Sequence, residues 1–179
     1  MELKGSKTEK NLMAAFGGES QARTKYAFYA SAARKNGYQQ IADIFEETAS
    51  NEKAHAKIWF KYLRGDILNS TLECLLDAAR GEHYEWAEMY REFSNQAKEE
   101  GFNEIAVVMS KVADIEQDHE ERYLKLVENI KENRVFEKDE EVEWICRNCG
   151  HIHKGKKAPG VCPVCKHERS YFEERKQNY

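Results

Sequence analysis

The chain has 179 residues, of which 34% are charged and 41% hydrophobic, and its net charge is −4. That length accommodates a domain of about 100–150 residues plus a small module, and the acidic balance argues against nucleic acid as a partner. No apolar leader follows Met1-Glu2-Leu3-Lys4-Gly5-Ser6, and no apolar run reaches the ~18 residues of a membrane span, so the expectation is a cytoplasmic protein with no membrane partner.

Ser6-Lys7-Thr8-Glu9 fits a capping box and predicts a first helix from near Lys7 to Asn36-Gly37. A second helix runs from about Tyr38 to Arg64, ended by Gly65. Asp66-Ile67-Leu68-Asn69 is a short connection. Ser70-Thr71-Leu72-Glu73 is another capping box and opens a third helix that stops before Gly101; a fourth runs from about Phe102 to Asn133. The only prolines are Pro159 and Pro163, which leaves residues 1–158 free for long helices. The predicted architecture is an all-α four-helix bundle over 1–133. The charged, aperiodic stretch 134–143 reads as a linker. The module at 144–179 has too little apolar content to fold without a metal.

The second and fourth helices repeat one another at a distance of 64 residues. Ile41, Phe45, Thr48, Glu52, His55, Trp59 and Tyr62 form one helical stripe. Ile105, Met109, Val112, Glu116, His119, Tyr123 and Leu126 form the other. Each stripe places a Glu-x-x-His pair where buried apolar residues are expected. Glu19 and Glu85 lie at matching depths in the first and third helices. Buried carboxylates at one level repel unless a cation neutralises them. One Glu from each of two helices plus two Glu-x-x-His motifs is the donor set of di-iron carboxylate bundles, and its oxygen-rich character favours iron or manganese. Glu88, three residues after Glu85, has no counterpart at Ala22. We read it as a surplus ligand that lets one iron exchange a carboxylate for a histidine as its charge changes. Glu82, Glu92 and His83 read as solvated. Tyr26 and Tyr90 lie near the ligand level, where a hydroxyl can hydrogen-bond a ligand or bound oxygen species. Cys74 reads as a core cysteine.

Cys146-Arg147-Asn148-Cys149 and Cys162-Pro163-Val164-Cys165 are two knuckles twelve residues apart, a four-thiolate metal site. Spacing alone leaves structural zinc and redox-active iron open. A redox centre beside a di-iron site favours iron. His151, His153 and His167 read as exposed.

Together, Glu19, Glu52-x-x-His55, Glu85-x-x-Glu88-Met89-Tyr90, Glu116-x-x-His119 and the cysteine pairs resemble rubrerythrin over nearly the whole chain. The resemblance implies a ferritin-like bundle followed by a rubredoxin-like domain. It implies one iron on Glu19 and either His55 or Glu88, a second on Glu85 and His119, and Glu52 and Glu116 bridging. A third iron would sit on Cys146, Cys149, Cys162 and Cys165. The implied activity is a peroxidase that reduces hydrogen peroxide to water and protects against oxidative stress. Its electrons would come from an external NAD(P)H-dependent reductase or a rubredoxin. The implied assembly is a head-to-tail homodimer. Lys166 departs from the glycine usual after the last cysteine of simple rubredoxins. Ferritin-like polarity would also require the link after the second helix to span ~40 Å: Glu52 to Gly65 is ~20 Å of helix, and Ser70 to Glu85 is ~22 Å. Four or five residues reach only ~17 Å, so that polarity implies a domain-swapped dimer. Two other readings are a ferritin-like ferroxidase and a zinc-ribbon binding module.

Overall fold

The computed structural model describes residues 2–178. Helices α1 (Lys7–Lys35) and α2 (Gln39–Arg64) form an antiparallel pair, followed by a 3-10 turn at Gly65–Asn69. Next come α3 (Thr71–Tyr84), a π-helical turn (Glu85–Met89), α4 (Tyr90–Glu99) and α5 (Asn103–Lys131). Strands β1 (Glu137–Cys146), β2 (Ile152–Lys157) and β3 (Phe172–Glu174) complete the chain as an antiparallel sheet in the order β2-β1-β3. The fold class is a helical bundle with a small C-terminal β module. The chain divides into two compact units, one ending at Ser70 and the other beginning at Thr71.

The predicted start of α1 is present: the Ser6 hydroxyl accepts from the Glu9 amide at 3.0 Å, a cap worth about 1 kcal/mol. Three helix ends share one stop. Tyr38 N–H donates to Ala33 O, Phe102 N–H to Ala97 O, and Arg134 N–H to Asn129 O, at 2.9, 2.8 and 2.7 Å. The preceding residues Gly37, Gly101 and Asn133 all have positive φ, which defines the Schellman motif. Identical turns at Gly37 and Gly101 set the register of the repeat.

The helical cores are lined by small residues. On α2, Ala42, Ala49 and Ala56 are buried at seven-residue intervals; on α5, Ala106 and Ala113 are seven apart and Val127 follows fourteen later. Ala30 and Ala33 of α1 pack with Ala42, and Phe45 closes over them. Arg34 of α1 clamps α2 with hydrogen bonds of 2.9–3.0 Å to Asp43 and to both oxygens of Glu46. The stripe expected to be buried is only partly so. Ile41, Tyr62, Ile105 and Leu126 are exposed, because the alanine seams, rather than the bulkier residues beside them, face the neighbouring helix.

Two segments differ from the sequence reading. The third helix is not one continuous α-helix but is broken by the π turn, in which Tyr90 N–H bonds back to Glu85 O. Periodicity does not disclose such a one-residue insertion. The stretch 134–143 also enters the sheet. Its charges lie on the exposed positions of β1, while Val142, Trp144 and Cys146 turn inward by strand alternation. The module core is Trp144, Cys146, Ala158, Cys162 and Phe172, with the Trp144 indole N–H donating to Gly155 O at 2.9 Å.

Candidate metal centres

Helices α1 and α2 bring Glu19, Glu52 and His55 together, with one ligand atom from each within 4.8 Å of the others. His55 Nδ1 lies 2.9 Å from Glu52 Oε2 and 4.0 Å from Glu19 Oε1. Because Glu52 and His55 are three residues apart on one helix, their side chains meet directly.

The second group follows the same plan but recruits a residue the sequence reading left solvated. It comprises Glu82, Glu116 and His119. His119 Nδ1 lies 2.7 Å from Glu116 Oε2 and 3.8 Å from Glu82 Oε2, so Glu82 occupies in this group the place Glu19 has in the first. The π turn explains the register. Glu19 stands 18 residues before Gly37, and Glu82 stands 19 before Gly101. One residue inserted by a π turn supplies the difference.

Glu85, the first residue of the π turn, is half-buried. Burial, and then the charge of Glu116, raise its carboxyl above the ordinary range. Burial is also the main cause that raises Glu82, followed by Glu116; His119 opposes the shift, while Glu85 adds to it. Glu82, Glu85 and Glu116 therefore stand in mutual repulsion. Glu88, read as the surplus ligand, is exposed and, like Glu85, lies outside both ligand groups found among the described residues. Glu82 thus stands beside His119 as Glu19 stands beside His55, and Glu85 and Glu88 follow it on the π turn. A gap of one residue between the two halves of the repeat was the signal that could have revealed this.

Tyr90 and Tyr26 are 64 residues apart, equivalent positions beyond the insertion. Burial raises the Tyr90 hydroxyl pKa, and the charges of Glu85 and Glu116 raise it further, so it stays protonated at neutral pH. Tyr26 is half-buried among rings, with Tyr29 and Phe45 each 6.1 Å away between centroids. His83 is exposed, as read, and its ring bonds Glu120 at 3.1 Å. Cys74 is half-buried and belongs to no ligand group.

In the β module all four cysteines meet as read. Cys146 and Cys165 Sγ are 3.7 Å apart, and Cys149 and Cys162 Sγ 3.6 Å. The knuckles are built alike. Gly150 N–H donates to Cys146 O, and Lys166 N–H to Cys162 O, at 2.8 and 3.0 Å. Gly150 and Lys166 both have positive φ, 75° and 63°, a conformation that costs lysine but not glycine. At Cys165 the His167 amide outweighs burial, and hydrogen bonds from Asn148, Cys149 and Cys162 help hold the thiol down to about 5. At Cys149 the His151 amide favours the thiolate. Burial and the thiols of Cys165, Cys162 and Cys146 prevail, pushing that thiol up to about 12. A tetrahedron with ~2.3 Å metal–sulfur bonds has edges of ~3.8 Å, so the measured separations fit a four-thiolate metal.

Two oxygen-rich Glu and His groups on helices, together with a four-thiolate module, define a non-haem metalloprotein with two chemically distinct kinds of centre. The chain belongs to the rubrerythrin family: residues 10–127 match Rubrerythrin, and residues 144–173 match the rubrerythrin rubredoxin-like domain. It is 50% identical to Rubrerythrin of Porphyromonas gingivalis over 99% of this chain and 94% of that one. It is 47% identical to Rubrerythrin-1 of Clostridium acetobutylicum, over 99% and 98%. It is also 47% identical to Rubrerythrin of Nitratidesulfovibrio vulgaris, over 96% and 95%. Its cofactors are those of the family, a di-iron centre and a rubredoxin-type iron, and the donor sets of both fit. Among the described residues, no helix is long and apolar enough to cross a membrane.

Proposed function

We propose that this protein is an oxidoreductase, a non-haem di-iron peroxidase that catalyses H2O2 + 2 e− + 2 H+ → 2 H2O. The observation that carries this reading is the pairing, in one chain, of an asymmetric carboxylate-rich site with a four-thiolate module suited to one-electron exchange. Glu19, Glu52 and His55 would hold the di-iron centre together with Glu82, Glu85, Glu116 and His119; Cys146, Cys149, Cys162 and Cys165 would hold the mononuclear iron. Bound iron supplies the redox equivalents. Glu52 and Glu116 would be shared by both irons, and the π turn carries Glu85 and Glu88, of which Glu88 would be the carboxylate that exchanges with His55. The protonated Tyr90 hydroxyl feels the charges of Glu85 and Glu116 and would donate a hydrogen bond to a ligand or bound oxygen species, with Tyr26 at the equivalent position in the other half. The cysteine module is the entry point for an external NAD(P)H-dependent reductase or a rubredoxin.

The working unit in this reading is a cytoplasmic homodimer. The five-residue turn Gly65–Asn69 leaves no slack for a crossover the length of a bundle. Ile44 and Ile58 of α2, and Val108 and Ile115 of α5, are also exposed on the single chain. A second copy supplies the complementary half-set and covers these faces. The helical part to about residue 133 and the metal module from residue 144 remain the functional divisions, with β1 running through the join.

A ferroxidase would use the same carboxylates but has no need for the thiolate module. Anaerobic stopped-flow mixing separates the two. Reduced protein containing about three irons per chain should be reoxidised faster by peroxide than by dioxygen. Faster reaction with dioxygen, or a mineral-filled shell, refutes the peroxidase reading.

A further inference from the structure

Glu120 occupies a position that both the repeat and the packing reserve for alanine. The seam of α5 runs Ala106, Ala113, then Glu120, then Val127, at seven-residue steps; the three apolar residues are buried and the Glu120 side chain is half-buried, 16% exposed. Its counterpart 64 residues earlier is Ala56, which is buried on α2. A carboxylate in an apolar seam destabilises the fold unless it is fully hydrogen-bonded, and this one is. Trp86 Nε1 donates to Glu120 Oε2 at 2.6 Å. His83 Nδ1 lies 3.1 Å from both oxygens, which selects the tautomer with the proton on Nδ1. The His83 ring stands edge-on to the Trp86 indole at 5.2 Å, and the Arg91 guanidinium lies 5.1 Å over that indole.

The clamp grips both sides of Glu85. His83 comes two residues before it, at the end of α3, and Trp86 follows it inside the π turn. Glu120 itself directly follows His119. One carboxylate thus ties the helix carrying a ligand imidazole to the turn carrying the surplus carboxylate. The other half of the repeat has neither feature. Helix α1 has no π turn, α2 has Ala56, and Ser20 turns its hydroxyl back onto Phe16 O of its own helix. The clamp therefore occurs only where the extra residue does.

We propose that Glu120 is a positioning residue. Acting through Trp86 and His83, it holds the π turn in register and so fixes where Glu85 is presented to the metal. This inference rests on the ligand assignment above, and Co(II) binding to the full-length protein tests the two separately. The four thiolates are first filled with Zn(II). Anaerobic calorimetric titration with Co(II) then reads the helical sites.

Wild-type protein should take two Co(II) per chain. Glu120→Ala should weaken the tighter binding step about 10- to 100-fold, the usual cost of losing a group that orients metal ligands. Glu120→Gln keeps an acceptor for the indole N–H and should restore binding to within about threefold. Trp86→Phe keeps the ring under Arg91 but loses the N–H, and should reproduce much of the loss. The double variant Glu120→Ala/Trp86→Phe should be no worse than Glu120→Ala alone, because both act through one bond. Wild-type affinity in Glu120→Ala, or losses that add in the double variant, overturns the inference while leaving the ligand assignment intact. A wild-type chain that binds no Co(II) at the helices overturns both. Unchanged far-UV ellipticity and thiolate absorbance in each variant distinguish lost positioning from lost folding.

Discussion

Replacing Glu82 by Gln should move stability in opposite directions with and without metal. In the metal-free protein the ligand atoms of Glu82 and Glu116 lie within 4.8 Å of one another. At that separation two carboxylates repel by about 3.5 kcal/mol at an effective dielectric of 20, and by about 0.9 kcal/mol in water. The two side chains are 21% and 15% exposed, so the environment lies between those limits, and Glu82→Gln should stabilise the metal-free protein by roughly 1–3 kcal/mol at neutral pH. The pH dependence has a definite sign. Burial, then Glu116 and Glu85, raise the Glu82 carboxyl above its usual 4.5. The contribution of a raised carboxyl to stability is complete below the unfolded value and is lost as pH rises through the folded one. The glutamine variant cannot suffer that loss. Its advantage over wild type should therefore be small near pH 4.5 and grow toward pH 7. With Fe(II) or Co(II) bound the order should reverse, since a ligand has been removed. Affinity should fall at least tenfold, about 1.4 kcal/mol, and the metal-dependent gain in stability with it. Urea unfolding, with and without metal at both pH values, measures all of this, with Glu88→Gln as the comparison. If Glu88→Gln shows the crossover and Glu82→Gln does not, the π-turn register argued for the second group is refuted.

Chelation should unfold the β module while leaving the helices intact, because its buried core of Trp144, Cys146, Ala158, Cys162 and Phe172 is too small to stand without a metal. The Trp144 environment would change in near-UV circular dichroism while the far-UV helical signal persists; simultaneous loss of both would refute independent metal-dependent folding. Lys166→Gly should relieve the φ of 63° and stabilise the metal-loaded module by about 1 kcal/mol. Urea unfolding followed by thiolate absorbance checks it, and a destabilised variant would refute backbone strain there.

Much of the site was legible because α-helical spacing is regular. Glu52 with His55, and Glu116 with His119, need only a three-residue step on one helix, and the 64-residue repeat sets them in parallel roles. The cysteine knuckles were legible because each needs only a turn of fixed length. The errors lie where geometry departs from period. A π turn adds one residue without altering composition, so constant 3.6-residue counting passed over Glu82, the third-helix carboxylate that meets Glu116 and His119. His83 and Glu120 escaped notice because their partnership joins two helices 37 residues apart. The acidic run before Trp144 read as a linker because its charges mask a strand whose inward alternation is regular only from Val142 through Trp144 to Cys146.

The alanine seams carry a consequence for the metal chemistry itself. Helix axes approach within 8–10 Å according to the side chains at the contact, and small buried residues such as Ala42, Ala49 and Ala56 on α2 favour the short end of that range. Only at such a spacing does a glutamate on α1 come within 4.0 Å of an imidazole on α2. Leucines along the same seam would wedge the pair open like the jaws of a calliper and leave Glu19 short of His55. Methyl groups that touch no metal thus set the gauge of the centre, and enlarging one of them is as direct an attack on it as removing a ligand.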